Sequence, residues 1–185
     1  MNTEAFKKAL LQYCPEEECD DKYRLDICSF VDRQPTSWWS RTTREGHVTA
    51  SAWVLNSAAT HVLLLHHAKL NRWLQPGGHL DDTDTSTAAG ALREAFEESG
   101  LADLRLANEA IFDLDIHPIP ARGEEPAHLH YDVRYLVFAP SDAVSLSSES
   151  LGFRWLPVQS IIREGFEESL QRLARRTAKL NLPVR

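Results

Sequence analysis

The sequence predicts an α/β fold, a mixed sheet with helices on both faces. Three observations predict it. Strand-like segments at 47–55, 61–66, 109–117, 128–139 and 152–156 are interleaved with segments of helical periodicity. Val62-Leu63-Leu64-Leu65 is a continuous apolar run, as expected of a central strand buried on both faces. The 185 residues are 43% hydrophobic, enough for one domain with a sizeable core.

Each element has its own warrant. Residues 3–14 carry Phe6, Ala9, Leu10 and Tyr13 at helical spacing, and Pro15 ends the run. Residues 20–33 carry Tyr23, Ile27, Phe30 and Val31, with Asp20-Asp21 suited to a helix N-terminus. These two helices could cap a site, build a dimer or cover the sheet. The segment Trp38 to Gly46 reads as a loop, in which one of the adjacent tryptophans is exposed. Two strands follow, separated by a turn at Asn56-Ser57. A helix starts between Asp84 and Ser86 and stops at Gly100. Pro118, Pro120, Gly123 and Pro126 mark a loop between the next two strands. After the short strand 152–156, Pro157 opens a helical region with Ile161, Ile162, Phe166, Leu170, Leu173 and Leu180.

Charge and composition exclude several classes. A formal charge of −7 argues against a general nucleic-acid binder. It leaves nucleotides open, because a metal ion reverses the local sign of a site. Apolar runs are too short for a membrane span, and the first residues lack a signal-peptide pattern, so a cytoplasmic protein is expected. Cys14, Cys19 and Cys28 fit no zinc spacing and read as reduced thiols, one or two of them buried.

The chemistry concentrates in Gly77-Gly78-His79-Leu80-Asp81-Asp82-Thr83-Asp84 and Arg93-Glu94-Ala95-Phe96-Glu97-Glu98-Ser99-Gly100-Leu101. At about 100° per residue, Glu94, Glu97 and Glu98 share one helical stripe, with Ala88, Leu92 and Phe96 expected on the opposite face. Like charges at this spacing repel by a few tenths of a kcal/mol each, so a cation is expected to offset them. Crowded carboxylates suit Mg²⁺, which is usually held by a few carboxylates and substrate phosphates.

These residues resemble the Nudix box, G-x5-E-x7-R-E-U-x-E-E-x-G-U, where U is apolar. Arg93, Glu94, Ala95, Glu97, Glu98, Gly100 and Leu101 match its second half. In the first half Asp84 stands at the acidic position, and the interval from Gly78 to Arg93 is one residue longer than the pattern. The insertion precedes the helix and leaves the glutamate spacing intact. Flanking features extend the resemblance from Gly46 to Pro157.

The resemblance implies a Nudix-type α/β/α sandwich over 46–185, with 1–45 as a helical extension packed on the core. It implies hydrolysis of a pyrophosphate bond in a nucleoside diphosphate linked to another group: nucleotide sugar, ADP-ribose, dinucleotide or nucleoside triphosphate. Mg²⁺ is the expected cofactor, with Mn²⁺ as an alternative. By resemblance Glu97 and Glu98 are metal ligands, Glu94 is a ligand or the general base, and the Gly77 carbonyl completes the site. Glu149, six residues before Trp155, is a further ligand or the base, with Glu124 or Glu125 as other loop acids for that role. Arg93 could pair with Asp84.

Arg41, Arg44, Gln75, His79 and His130 are expected to bind substrate. His128 and His130 share a strand face, and two histidines can bind zinc, but no third ligand is evident. The expected partner is a small nucleotide, with no DNA and no membrane; a homodimer stays open. Two other classes compete. An isopentenyl diphosphate isomerase would need a cysteine beside Gly77-Gly78-His79, and none is there. A non-catalytic nucleotide-sensing regulator would be expected to lose box glutamates, and all three are present. Arg172, Arg175, Arg176 and Lys179 are expected on a solvated helix face.

Overall fold

The computed structural model describes residues 1–123, 125–163 and 165–180. Two helices come first, α1 (Thr3–Gln12) and α2 (Glu18–Arg33). Then follow β1 (Gly46–Asn56), β2 (His61–His67), β3 (Arg72–Leu74), β4 (Gly77–His79) and α3 (Thr87–Ser99). The remainder is β5 (Arg105–Leu106), β6 (Asp113–Ile119), β7 (His128–Ala139), β8 (Ser150–Pro157), α4 (Val158–Arg163) and α5 (Glu168–Lys179). The class is α/β, as the sequence predicts. The described chain divides into two compact units interleaved along the sequence.

The first unit comprises Met1–Ser51, Gly78–Ala91 and Asn108–Tyr135. Asn2 caps α1 by accepting from the Ala5 N–H at 3.0 Å. Asp20 caps α2, its carboxylate accepting from the N–H groups of Glu16 and Glu17 at 2.8 Å each. Phe6 stacks on Trp38 and Phe30 on Tyr131, with ring centroids 4.4 and 4.2 Å apart. Trp38 is therefore the buried member of its pair. Trp39 is half-buried and donates its indole N–H to Asp82 at 2.8 Å. β6 and β7 pair antiparallel from Asp113↔Arg134 to Ile119↔His128. β6 starts four residues later than the sequence suggested, because Asn108 closes a turn by accepting from the Ala110 N–H at 2.8 Å. Ser86 accepts from the Ala89 N–H at 3.1 Å and caps α3. Asp84 instead braces the preceding loop, accepting from the Asp81 N–H at 2.8 Å.

The second unit comprises Ala52–Gly77, Leu92–Ala107 and 136 onward. β2 is its central strand, antiparallel to β8 along its length, to β3 at its end, and to β1 at Leu55↔Val62. Val62, Leu63, Leu64 and Leu65 are all buried, as their run requires. The Asn56 side chain closes the β1–β2 turn, accepting from the N–H groups of Thr60 and His61. The final helical region is two helices rather than one. Gly165, at φ 69°, lies in the break between them. α4 packs on α5 and β8.

Three expectations about burial need correction. Arg172 and Arg176 are buried among Leu170, Leu173, Ala174 and Thr177 on α5, so this is no solvated basic face. Long arginine stems pack like aliphatic chains, which charge counting overlooks. The apolar back of α3 is Ala88, Ala91 and Ala95, whereas Leu92 is half-buried and Phe96 is 54% exposed. None of the three cysteines is buried: Cys14 is exposed, and Cys19 and Cys28 are half-buried.

Candidate active site

The glutamates of α3 occupy three different environments. Glu97 is exposed, Glu94 is half-buried and Glu98 is buried. Seven residues separate Glu98 from Ala91 and three from Ala95, so it borders the buried alanine stripe. The sequence expectation that it faces away from the core is therefore corrected. Its carboxylate accepts from the Gly77 N–H at 3.0 Å, bringing together two residues that the sequence assigned to one site.

Electrostatics single out the same residue. Burial pushes the Glu98 carboxyl up to about 7, and the charges of Glu94, Glu149 and Glu97 push the same way. The Gly77 hydrogen bond opposes them. Glu94 is also raised, first by burial, against the pull of Arg93. The Arg93 guanidinium donates to Glu94 at 2.9 Å and to Glu97 at 3.1 Å.

Glu149 reaches this group through a fastened loop. The Ser145 N–H donates to the Ser99 carbonyl at 2.7 Å, and the Ser147 N–H to the Glu98 carbonyl at 3.2 Å. The Ala68 N–H donates to the Glu149 carbonyl at 2.9 Å. Gly100 permits this docking. Its φ is +65°, and a Cβ there would meet the Ser145 carbonyl oxygen at 2.8 Å. The glycine that ends the box helix is thus also the seat of the acidic loop. The Pro76 carbonyl accepts from the Ala52 N–H at 2.9 Å and anchors the Gln75–Gly77 segment.

Glu94, Glu97, Glu98 and Glu149 lie close enough to act on one another electrostatically, and all offer oxygen donors. Glu98 is raised first by burial and further by three neighbouring carboxylates, and among the described residues no cation stands among the groups that shift it. That is the electrostatic condition a divalent ion relieves, so these residues fit Mg²⁺ or Mn²⁺.

Of the residues assigned to substrate, Gln75 belongs to the second unit, and Arg41, Arg44, His79 and His130 to the first. Arg41 and Arg44 line a cavity of about 530 Å³ with Thr42, Thr43, Glu125, Pro126 and His128. Glu124 lies outside the described residues. His79 and His130 stand together, ring centroids 5.1 Å apart. Sequence reasoning missed His47, which packs against both at 4.9 and 4.8 Å. The available signal was a histidine at the start of a strand that is buried along almost its whole length. Burial holds all three imidazoles neutral, lowering His47 to about 3, His79 to about 4 and His130 to about 2.

Comparison with known proteins agrees with this architecture. The NUDIX domain model matches residues 45–177. No curated protein matches the chain significantly. Among solved structures, the MutT protein of Methanosarcina mazei Go1 is similar with TM-score 0.59 and 19% identity, covering 76% of this chain and 99% of that one. A Caenorhabditis elegans Ap4A hydrolase complex has TM-score 0.56 and 20% identity, covering 71% and 94%. The NUDIX domain of Shewanella oneidensis NrtR, complexed with ADP ribose, has TM-score 0.54 and 15% identity, covering 80% and 96%. At such identities these likenesses concern the fold. The family match spans most of the chain, and the chain belongs to the NUDIX family of pyrophosphohydrolases.

Proposed function

We propose that this enzyme hydrolyses a pyrophosphate bond in a nucleoside diphosphate linked to another group, using a divalent cation held by α3. The observation that carries the reading is the gathering of Glu94, Glu97, Glu98 and Glu149, with Glu98 buried against Gly77. When bound, the cation would neutralise phosphate oxygens and ease deprotonation of water. Glu97 and Glu98, with the Gly77 carbonyl, hold it; Glu94 serves as a further ligand. Glu149, on its anchored loop, accepts the proton of the attacking water. Arg93 restrains Glu94 and Glu97.

Arg41 and Arg44, beside their cavity, bind phosphate oxygens, and Gln75 contributes a polar contact to substrate. The loops at 36–46, 118–128 and 140–150 select among nucleotide sugar, ADP-ribose, dinucleotide and nucleoside triphosphate. Residues 1–45 act as an extension packed on the hydrolase domain, a reading supported by the Phe30–Tyr131 stack. Unbridged cysteines fit a cytoplasmic location.

The test is a panel of nucleoside diphosphate derivatives with Mg²⁺ or Mn²⁺ in ¹⁸O-labelled water, with products read by mass. A nucleoside monophosphate and label on a phosphoryl product are expected. Label only on a sugar carbon would show glycosidic cleavage and overturn the reading.

A further inference from the structure

His79 and His130, which the sequence assigned to substrate, belong to a built cluster of imidazoles in the first unit. His47 on β1, His79 at the end of β4 and His130 on β7 each present a ring nitrogen, and these atoms all lie within 4.8 Å of one another. His47 is 1% exposed, and among the described residues neither of its ring nitrogens has a hydrogen-bond partner. A buried polar group left unpaired is costly, so a ring in this position calls for a partner.

A fourth imidazole stands beside them. His128 Nδ1 is 2.9 Å from the Pro126 carbonyl, which fixes the proton on that nitrogen and leaves the Nε2 lone pair free of one. That Nε2 lies 3.3 Å from His130 Nε2. Two nitrogens on one tetrahedral zinc, with bonds of about 2.0–2.1 Å, stand about 3.3 Å apart. A backbone carbonyl that orients a ligating histidine through its other nitrogen is the usual support of such a site. His128 also lines the Arg41–Arg44 cavity, which gives the cluster an approach from solvent. Arg41 and Glu125 act on His79 with opposite signs, so the local charge is mixed.

We propose that His47, His79 and His130, with His128 as the fourth ligand, form a binding site for a borderline-soft divalent transition ion of the Zn²⁺ class. The donor sets of the two units then differ in kind. Imidazoles select Zn²⁺, Co²⁺ or Ni²⁺, whereas the α3 carboxylates select Mg²⁺ or Mn²⁺. Three of the four ligands come from separate strands, so the ion would tie β1, β4 and β7 together.

The probe is Co²⁺ alone, titrated into chelator-treated full-length protein in the presence of excess Mg²⁺. One equivalent is expected to bind with the intense visible absorption of a four-coordinate site, and Zn²⁺ should displace it. X-ray absorption at the cobalt edge should show at least three imidazoles. His47→Asn and His79→Asn should each weaken binding at least about 100-fold, while Glu98→Gln leaves it unchanged. Absence of binding, a weak six-coordinate oxygen spectrum, or parent-like affinity in both histidine variants would overturn the site. Should either variant misfold, the X-ray absorption of the unmutated protein decides alone.

Discussion

Two clusters of acids, one in each unit, meet the same electrostatic problem differently. In the first unit Asp113, Asp115 and Asp132 are buried around Arg134, which is also buried. The guanidinium reaches Asp132 at 2.8 Å, Asp115 at 3.1 Å and Asp113 at 3.2 Å. Thr49 and Ser51 donate further hydrogen bonds to Asp132. In the second unit Glu98 has a backbone N–H and three like-charged neighbours. The aspartates carry a resident cation, so their charge is part of the fold. Arg93 pairs with Glu94 and Glu97, but among the described residues no cation stands among the groups that shift Glu98, so Glu98 is the carboxylate the proposed ion would meet. Burial of acids alone does not mark a site; burial without a fixed counter-charge does.

Three perturbations, taken from the largest effect to the smallest, would break or sharpen this contrast. Arg134→Met leaves three buried aspartates around one missing charge. It should cost about 3–5 kcal/mol of stability in urea unfolding. A loss below about 1 kcal/mol would mean the aspartates do not depend on their arginine. Glu149→Gln should instead spare stability and lower kcat on the order of 100-fold, with KM little changed, because a base acts mainly in the transition state. Parent-like kinetics would return Glu149 to a solvated loop.

Tyr135, unlike the charged aspartates, is an acid that the first unit keeps neutral, and its effect is the mildest. Its hydroxyl pairs with Thr87 at 2.6 Å, and burial pushes the phenol up to about 12. The folded-state value is raised, so its contribution is complete below about pH 10, where an unfolded tyrosine begins to ionise. That contribution is lost as pH rises from about 10 to 12. Tyr135→Phe should cost about 1 kcal/mol at neutral pH and flatten the alkaline limb of the stability curve. An alkaline limb as steep as the parent's would contradict this assignment.

What the sequence disclosed follows the range of each interaction. Glu94, Glu97, Glu98 and Gly100 were legible because helical periodicity is local and the box spacing is intact across α3. Glu149 was placed by its distance to Trp155 alone, and the structure supplies the reason it can reach the glutamates. Phe96 was misassigned because an ideal stripe ignores width: the small alanines pack closely, and the ring is left outside. Glu98's burial came from the same narrow alanine face. The role of His47 was missed because its partners, His79 and His130, are 32 and 83 positions away and meet it only through strand placement.

The central claim is that Glu98, unlike its neighbours Glu94 and Glu97, which pair with Arg93, recruits a divalent ion as its counter-charge. The most direct measurement is Mn²⁺ titration of the parent and of Glu98→Gln, read by the thermal unfolding midpoint and by turnover. The parent should gain stability as Mn²⁺ saturates the site, since an ion that binds only the folded state stabilises it. Glu98→Gln should be at least as stable as the parent without metal, because a neutral amide relieves the repulsion and still accepts from Gly77. It should lose the Mn²⁺-dependent gain and at least about 100-fold in turnover. An equal Mn²⁺ response and equal turnover in a folded Glu98→Gln would contradict the account.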